Sequence, residues 1–514
     1  MISPLYFWIF APMTLLTKPL LSLYETVLNT LFKVRYILYA LLALGLGSVL
    51  GFLMTASQAQ AELTLSLIVV IGTLILIANK PLYGVSAMLI FMPFIEQWVE
   101  IPMGAGIPDL SFSRFVIGFL IVFMLAQASI GKFQFRSPGS YVDLCIVLMT
   151  LGMLVAVPIS HNPTRAIQLI ITRFFAPLLL YFLARNLVKN RADFHVLLWS
   201  IVIFGFLAAL YAIYEQLTGN ILFVGKETDT STLRTTLTGN LRLLRGLLGL
   251  AANFGRVFLT AIPIAFYLLF ETRKPSLKLV LLFAIGILFI GMFLTYNRTS
   301  WLAMMIGLFV LQFFYKQFRV MYIIMALVAG VVLAVTWDSV SQSEIVEQRI
   351  SGDEAKTEGF NGRDILWQTA YRMWQAQPIR GWGFERFEQV SGRFRPDGGR
   401  SNLNAIENDF LRIMVDTGLL GVVPYIIYLA LPLYYSVLLF FQTRNPSWSG
   451  FIKVETIAVY WAVMLAFLLG SYTQVQVQPI VKMLPFALTG AVIGTHERYV
   501  RQSKKKITPD LLRT

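Results

Sequence analysis

The stretch FHVLLWSIVIFGFLAALYAIY, residues 194–214, decides the fold class. It holds no Asp, Glu, Lys or Arg, and as a helix it covers the roughly 30 Å hydrocarbon core of a bilayer. Runs of the same kind recur outward from it, near 36–56, 63–79, 81–98, 112–130, 141–160, 166–186, 250–270, 278–296, 300–316, 319–337, 417–441, 455–472 and 479–494. Together they predict an all-α polytopic membrane protein with about 14 transmembrane helices. Composition agrees: 57% of the 514 residues are apolar and 13% are charged, and the mean hydropathy is +0.69. The charged share is about half that of a soluble domain, so an ordinary soluble enzyme and a disordered chain are both excluded.

Residues 1–35 read differently. They are apolar but interrupted by Pro4, Pro12 and Pro19, and their positive charges follow the apolar run, the reverse of a signal peptide. A cytoplasmic, interfacial segment is expected there. With the N-terminus inside, basic residues crowd the inner segments at 18–35, 80, 132–136, 185–191, 273–278, 316–319, 444–453 and 498–513, whereas the short outer loops hold Arg165 and Arg298. That asymmetry predicts both termini in the cytoplasm and an even number of spans. The net charge of +15, from 42 Lys and Arg against 27 Asp and Glu, is then a positive-inside signal, and nucleic acid is not an expected partner. The basic tail can also touch anionic lipid.

The expected organisation is an interfacial segment (1–35), helices 1 to 11 with a smaller outer loop at 215–249 (36–337), a large outer loop (338–416), helices 12 to 14 (417–494) and a basic cytoplasmic tail (495–514). Cys145 is the sole cysteine, which excludes an intramolecular disulfide and a Cys-rich metal or Fe–S site. His161, His195 and His496 are far apart in sequence, so no metal and no cofactor is expected.

Residues 338–412 hold nine Arg, one Lys and twelve acids, which reads as a folded, charge-mixed layer on the membrane. Guanidinium grips phosphate and carboxylate with a two-donor fork; ion pairing inside the loop is the plainer use of the same residues. Within it, NGRDILWQTAYRMWQAQP (361–378) predicts a helix capped by Asn361, with Trp367, Ala370, Tyr371 and Trp374 on one face. That face lies on the membrane, packs on the spans or stacks on sugar rings. RGWGF (380–384) follows as a glycine-punctuated turn with an exposed-looking Trp382. In NLNAIENDFLRIMVDTGLLG (402–421), Phe410, Leu411 and Met414 form a stripe running into a span near 417, and Glu407 and Asn408 fall in its first turn. A carboxylate there either answers the helix dipole or acts as a general base over the membrane surface.

Arginines mark the same side. Arg298 sits at an outer span end in LTYNRTSWL (294–302), and Arg242 and Arg245 precede a span in LRLLRGLLGLAANFGRVFL (241–259). Arg173 and Arg256 fall inside apolar spans, where an ionised group is costly and points to function or a buried partner. Glu215, at another outer span end, is a candidate partner for any of them. Several arginines at the outer leaflet suit a lipid-linked phosphate or pyrophosphate.

The ordered pieces RGLLGLAANFGRVFLTAIPIAF, YNRTSWLAMM, NGRDILWQTAYRMWQAQPIRGWGFERF and ENDFLRIMVDTGLLGVVPYIIYL, in this membrane context, resemble the O-antigen ligase and polymerase superfamily of the Wzy-C type over roughly residues 160–495. The resemblance implies a metal-independent, GT-C-like glycosyltransferase at the outer face of a bacterial inner membrane, with an undecaprenyl-pyrophosphate-linked oligosaccharide as donor. It implies that Arg245 and Arg298 hold the pyrophosphate; the residue pattern adds Arg242, Arg173, Arg256, Asn408 and Trp382 as further candidate substrate-binding residues. The base that opens the last motif is usually the His of a His-Asn pair; here the pair is Glu407-Asn408, and no histidine lies between His195 and His496. Glu407 would deprotonate an acceptor hydroxyl while Arg298 and Arg245 stabilise the leaving pyrophosphate, inverting the anomeric centre. Polysaccharide polymerase is the first expectation. A ligase acting on lipid A core or protein is the second, and a transporter of a small anion or lipid-linked sugar the third. Membrane lipids and a chain-length regulator or export machinery complete the partner classes.

Overall fold

The computed structural model describes residues 57–96, 100–101, 109–135, 140–222, 244–316, 318–320, 322–323, 327, 360–396, 406–444, 448, 450–473 and 478–511. The chain divides into Met1–Ile68 and Val69–Thr514. The interfacial segment 1–35 and the span expected at 36–56 lie outside the described residues; so do Arg242, most of the span expected at 319–337 and the outer-loop residues 338–359.

The described chain is almost wholly helical. In order come α1 (Gln58–Asn79), α2 (Pro81–Ile95), a short antiparallel pair of strands (Glu100–Ile101 and Leu110–Ser111), α3 (Phe112–Ser129), α4 (Tyr141–Ala156), α5 (Pro163–Ile170), a π-helical turn (Ile171–Phe175), α6 (Ala176–Leu187) and α7 (Arg191–Thr218). Then follow α8 (Ala251–Glu271), α9 (Pro275–Leu294), α10 (Arg298–Phe314), α11 (Phe360–Ala376), α12 (Phe387–Val390), α13 (Asp409–Thr443), α14 (Val454–Thr473) and α15 (Pro479–Leu511). Among the described residues, eight helices are long and apolar enough to cross a membrane, and Pro81–Ile95, Tyr141–Ala156 and Arg298–Phe314 are shorter apolar helices.

Polar caps start these helices where the apolar runs begin. Ser140 and Asp143 form a capping box on α4, and Asn162, Asn190, Asn297 and Asn408 cap α5, α7, α10 and α13 through their side-chain oxygens. Lipid removes the hydrophobic drive between helices, so packing rests on close backbone approach. The most extensive helix pairings are α6 with α15 and α4 with α13. A Cβ on Gly490 would collide with the Tyr181 carbonyl, and one on Gly152 with the Leu420 carbonyl.

Charges segregate to the two ends of α7, which at 28 residues is about 42 Å long. At its start, Asp193 pairs with Lys80, and Arg191 and Lys453 pair with Glu271. Nearby in sequence terms, Arg185 at the end of α6 is 2% exposed and binds Asp143 at 2.6 Å and Glu497 at 2.7 and 2.9 Å. This triad ties α4, α6 and α15. Glu497→Gln removes the carboxylate charge and one of the two acceptors for Arg185, and should cost about 1.5–3 kcal/mol, read as a lower Tm of the purified protein.

The segment 360–416 differs from the sequence expectation in detail. Helix α11 starts at Phe360, so Asn361 lies inside it rather than capping it. Its buried residues are Leu366, Thr369, Ala370 and Met373, whereas Tyr371 is 50% exposed. Large aromatics had suggested the face one residue over. Leu366, Ala370 and Met373 join Phe387, Ile406 and Val415 in a small second core, and Trp367 packs on Tyr472.

Candidate functional site

The site is built on a broken helix. Helix α13 is interrupted at Gly418, whose φ of 59° and ψ of −157° leave the helical region. The segment 378–383 supplies the hydrogen bonds that the break would otherwise cost. Leu419 and Leu420 amides donate to the Pro378 and Ile379 carbonyls at 2.8 and 3.2 Å, and the Val415 and Asp416 carbonyls accept from the Trp382 and Gly383 amides at 2.8 and 2.9 Å. Irregular backbone at membrane depth survives where protein satisfies it in this way. Gly381 and Gly383, at φ of 69° and 86°, make the approach possible. Trp382 is therefore half-buried rather than exposed, packed edge-on to Phe394, with its indole N–H donating to the Met373 carbonyl at 2.6 Å. Beyond it, Phe384 binds the Ser160 hydroxyl at 2.8 Å and Glu385 pairs with Arg165 at 2.8 Å, docking the loop on the α4–α5 turn.

The start of α13 carries three charged residues on one face: Asp409, Arg412 and Asp416, at i, i+3 and i+7. Arg412 Nε donates to Asp416 Oδ2 at 3.0 Å, and its Nη1 lies 3.7 Å from Glu388. Asp409 pairs with Lys482 Nζ at 3.0 Å and accepts from the Tyr425 hydroxyl at 3.3 Å. Lys482, in the first turn of α15, is 1% exposed. Arg173 lies in the π-helical turn, within electrostatic reach of both Asp416 and Lys482. Arg256, in the second turn of α8, donates to the Gly470 carbonyl at 2.7 Å and lies within electrostatic reach of Asp409 and Tyr425.

Other sequence-predicted residues fall at the same helix ends. Glu407 precedes the helix and is half-buried; Asn408, 2% exposed, is its N-cap, with Oδ1 accepting from the Leu411 amide at 3.0 Å. The pair thus sits just outside the first turn, and the cap occupies Asn408. Arg298 is exposed as the first residue of α10, behind the Asn297 cap. That turn is pressed on α8, because a Cβ on Gly255 would collide with Ser300. Glu215, fully buried at the end of α7, accepts from the backbone amides of Arg245 and Gly246 at 2.8 and 3.1 Å. It holds the loop that presents Arg245, and that loop abuts Gln478, just before α15. The structure therefore brings Arg173, Arg256 and the start of α13 together, with Arg245 in the loop before α8 and Arg298 at the start of α10.

Lys482, Asp409, Arg412 and Asp416 escaped the sequence reading. One signal was present: Lys482 is the single charge in PIVKMLPFALTGAVIG (479–494), and the rule that singled out Arg173 and Arg256 applies equally to it.

Residues 282–426 match the Wzy_C family model, described as O-antigen ligase. The match supports the O-antigen ligase/polymerase superfamily, a family of membrane enzymes acting on lipid-linked glycans. No curated protein matches the chain significantly. The matched stretch runs from within α9 to just past the Gly418 break. It holds Arg298, Glu407, Asn408, Asp409, Arg412 and Asp416, while Arg173, Arg245, Arg256 and Lys482 come from helices outside it.

Proposed function

We propose that this protein is a GT-C-type glycosyltransferase of about 14 spans that polymerises undecaprenyl-pyrophosphate-linked repeat units at the outer face of a bacterial inner membrane, with both termini cytoplasmic. The observation that carries this reading is the match to the O-antigen ligase family model at 282–426, which encloses Arg298 and Glu407. The charged helix ends around α13 support it. In this scheme Glu407 takes the proton from an acceptor hydroxyl, the oxygen attacks the anomeric carbon, and the bond to pyrophosphate breaks with inversion. Arg298 and Arg245 meet the charge that develops on the leaving group. No metal takes part. Asn408 contributes by holding the helix start rather than by binding sugar directly.

The test uses purified full-length protein in nanodiscs, given lipid-linked repeat units and EDTA without any other acceptor. A ladder on a gel supports the polymerase. Arg298→Ala should slow ladder growth about 10²–10³-fold, and an unchanged rate would remove Arg298 from the leaving-group role. Product with retained anomeric configuration would overturn the single-displacement scheme.

The description of the matched family favours a second reading, transfer to a separate acceptor such as lipid A core. No ladder alone, but transfer once that acceptor is added, would select the ligase.

A further inference from the structure

Lys482 is buried in the first turn of α15, 4.4 Å from the centre of the Phe174 ring and 5.8 Å from that of Tyr425. Its carboxylate partner Asp409 is 3.0 Å away and is itself 2% exposed. Arg173 and Arg256 lie within electrostatic reach of the same ammonium and repel it. Cations from three different segments thus converge here, with Asp409 paired to Lys482 and Asp416 within reach of Arg173.

Stability does not account for this grouping. A buried Lys–Asp pair contributes little beyond an apolar pair of similar volume. Ionised groups at membrane depth are instead a mark of function. Cations converging from several helices suit a group that carries more than one negative charge and several acceptor oxygens, as a phosphate does.

We infer that Lys482 is the third cation, with Arg173 and Arg256, of a phosphate-binding site, and that Asp409 is the counter-ion Lys482 exchanges for a lipid-linked diphosphate. This rests on the proposed function for the identity of the donor. The exchange is a change of ion-pair partner; no covalent bond is made or broken. The Tyr425 hydroxyl keeps Asp409 hydrogen-bonded when Lys482 turns to phosphate. A staple joining α13 to α15 is the competing explanation, and it predicts different behaviour from the two partners.

The experiment measures binding of glycan-free undecaprenyl diphosphate to the full-length protein in nanodiscs of neutral lipid, by native mass spectrometry. Undecaprenol, inorganic pyrophosphate and phosphatidic acid are the comparison probes. Lys482→Gln should weaken diphosphate binding about 10- to 100-fold, Lys482→Arg should hold it within a few-fold, and Asp409→Asn should tighten it. The double variant Lys482→Gln with Asp409→Asn removes the pair without leaving a lone buried charge, and it should fold yet bind weakly. Equal weakening in Lys482→Gln and Asp409→Asn would mean a staple and overturn the inference. So would phosphatidic acid binding as tightly as undecaprenyl diphosphate, which would make this a general lipid-headgroup site. Glycan transfer by the unaltered protein with no effect of Lys482→Gln on affinity would sink the inference and leave the proposed function standing. Lys482-dependent diphosphate binding without any transfer would do the reverse.

Discussion

Glu407→Gln should lower the transfer rate about 10²–10⁴-fold, the range expected for losing a general base, while binding of the lipid-linked donor survives. The substitution keeps the shape and removes the ability to take a proton. The surroundings of Glu407 favour a clean result. It precedes the helix, so its loss disturbs no intrahelical bond, and the cap is made by Asn408 Oδ1. Neighbouring Asp409 is engaged by Lys482 and Tyr425. Single-turnover rates beside donor affinity decide the matter. A rate loss that follows an equal loss of affinity would make Glu407 a binding residue, and an unchanged rate would send the search for the base elsewhere.

Gly418→Val should be strongly disruptive at the break in α13. A residue with a Cβ pays about 1–3 kcal/mol for the left-handed backbone, and overpacking adds about 1–3 kcal/mol more. The Cβ would strike the Ile379 carbonyl and the Gly381 amide, which lie against the break. Losing that contact frees the four hydrogen bonds between 378–383 and 415–420 and shifts Asp416, Arg412 and Asp409 together. The expected readouts are a lower Tm and loss of activity in whatever protein still folds. Gly392→Val, at a glycine of the 3₁₀ turn Ser391–Arg393 with open space around it, is the matched control and should leave both unchanged. A Gly418→Val protein with unaltered Tm would mean that the break is not held by this packing.

The membrane helices were legible in the sequence because hydropathy is a local sum: a run that suits lipid does so whatever it packs against. Two features resisted. TGLLG reads as ordinary helix, and nothing within it states that 378–383 will arrive to satisfy an open turn. The aromatic stripe on α11 pointed one residue away from the buried face, because ring size is a weaker signal than the partner surface made by Phe387, Ile406 and Val415.

Candidate residues divide along the same line. From sequence alone come an all-α membrane protein, a set of outer arginines and the Glu407-Asn408 pair, each readable from its own neighbours. Only tertiary structure decided that Asn408 is a cap, that Glu215 grips the backbone beside Arg245, and that Lys482 meets Asp409 some seventy residues away along the chain. Ion pairs across helices depend on which helix ends share a depth and a face. That follows from helix packing, so the positions of the charges in the sequence leave it open.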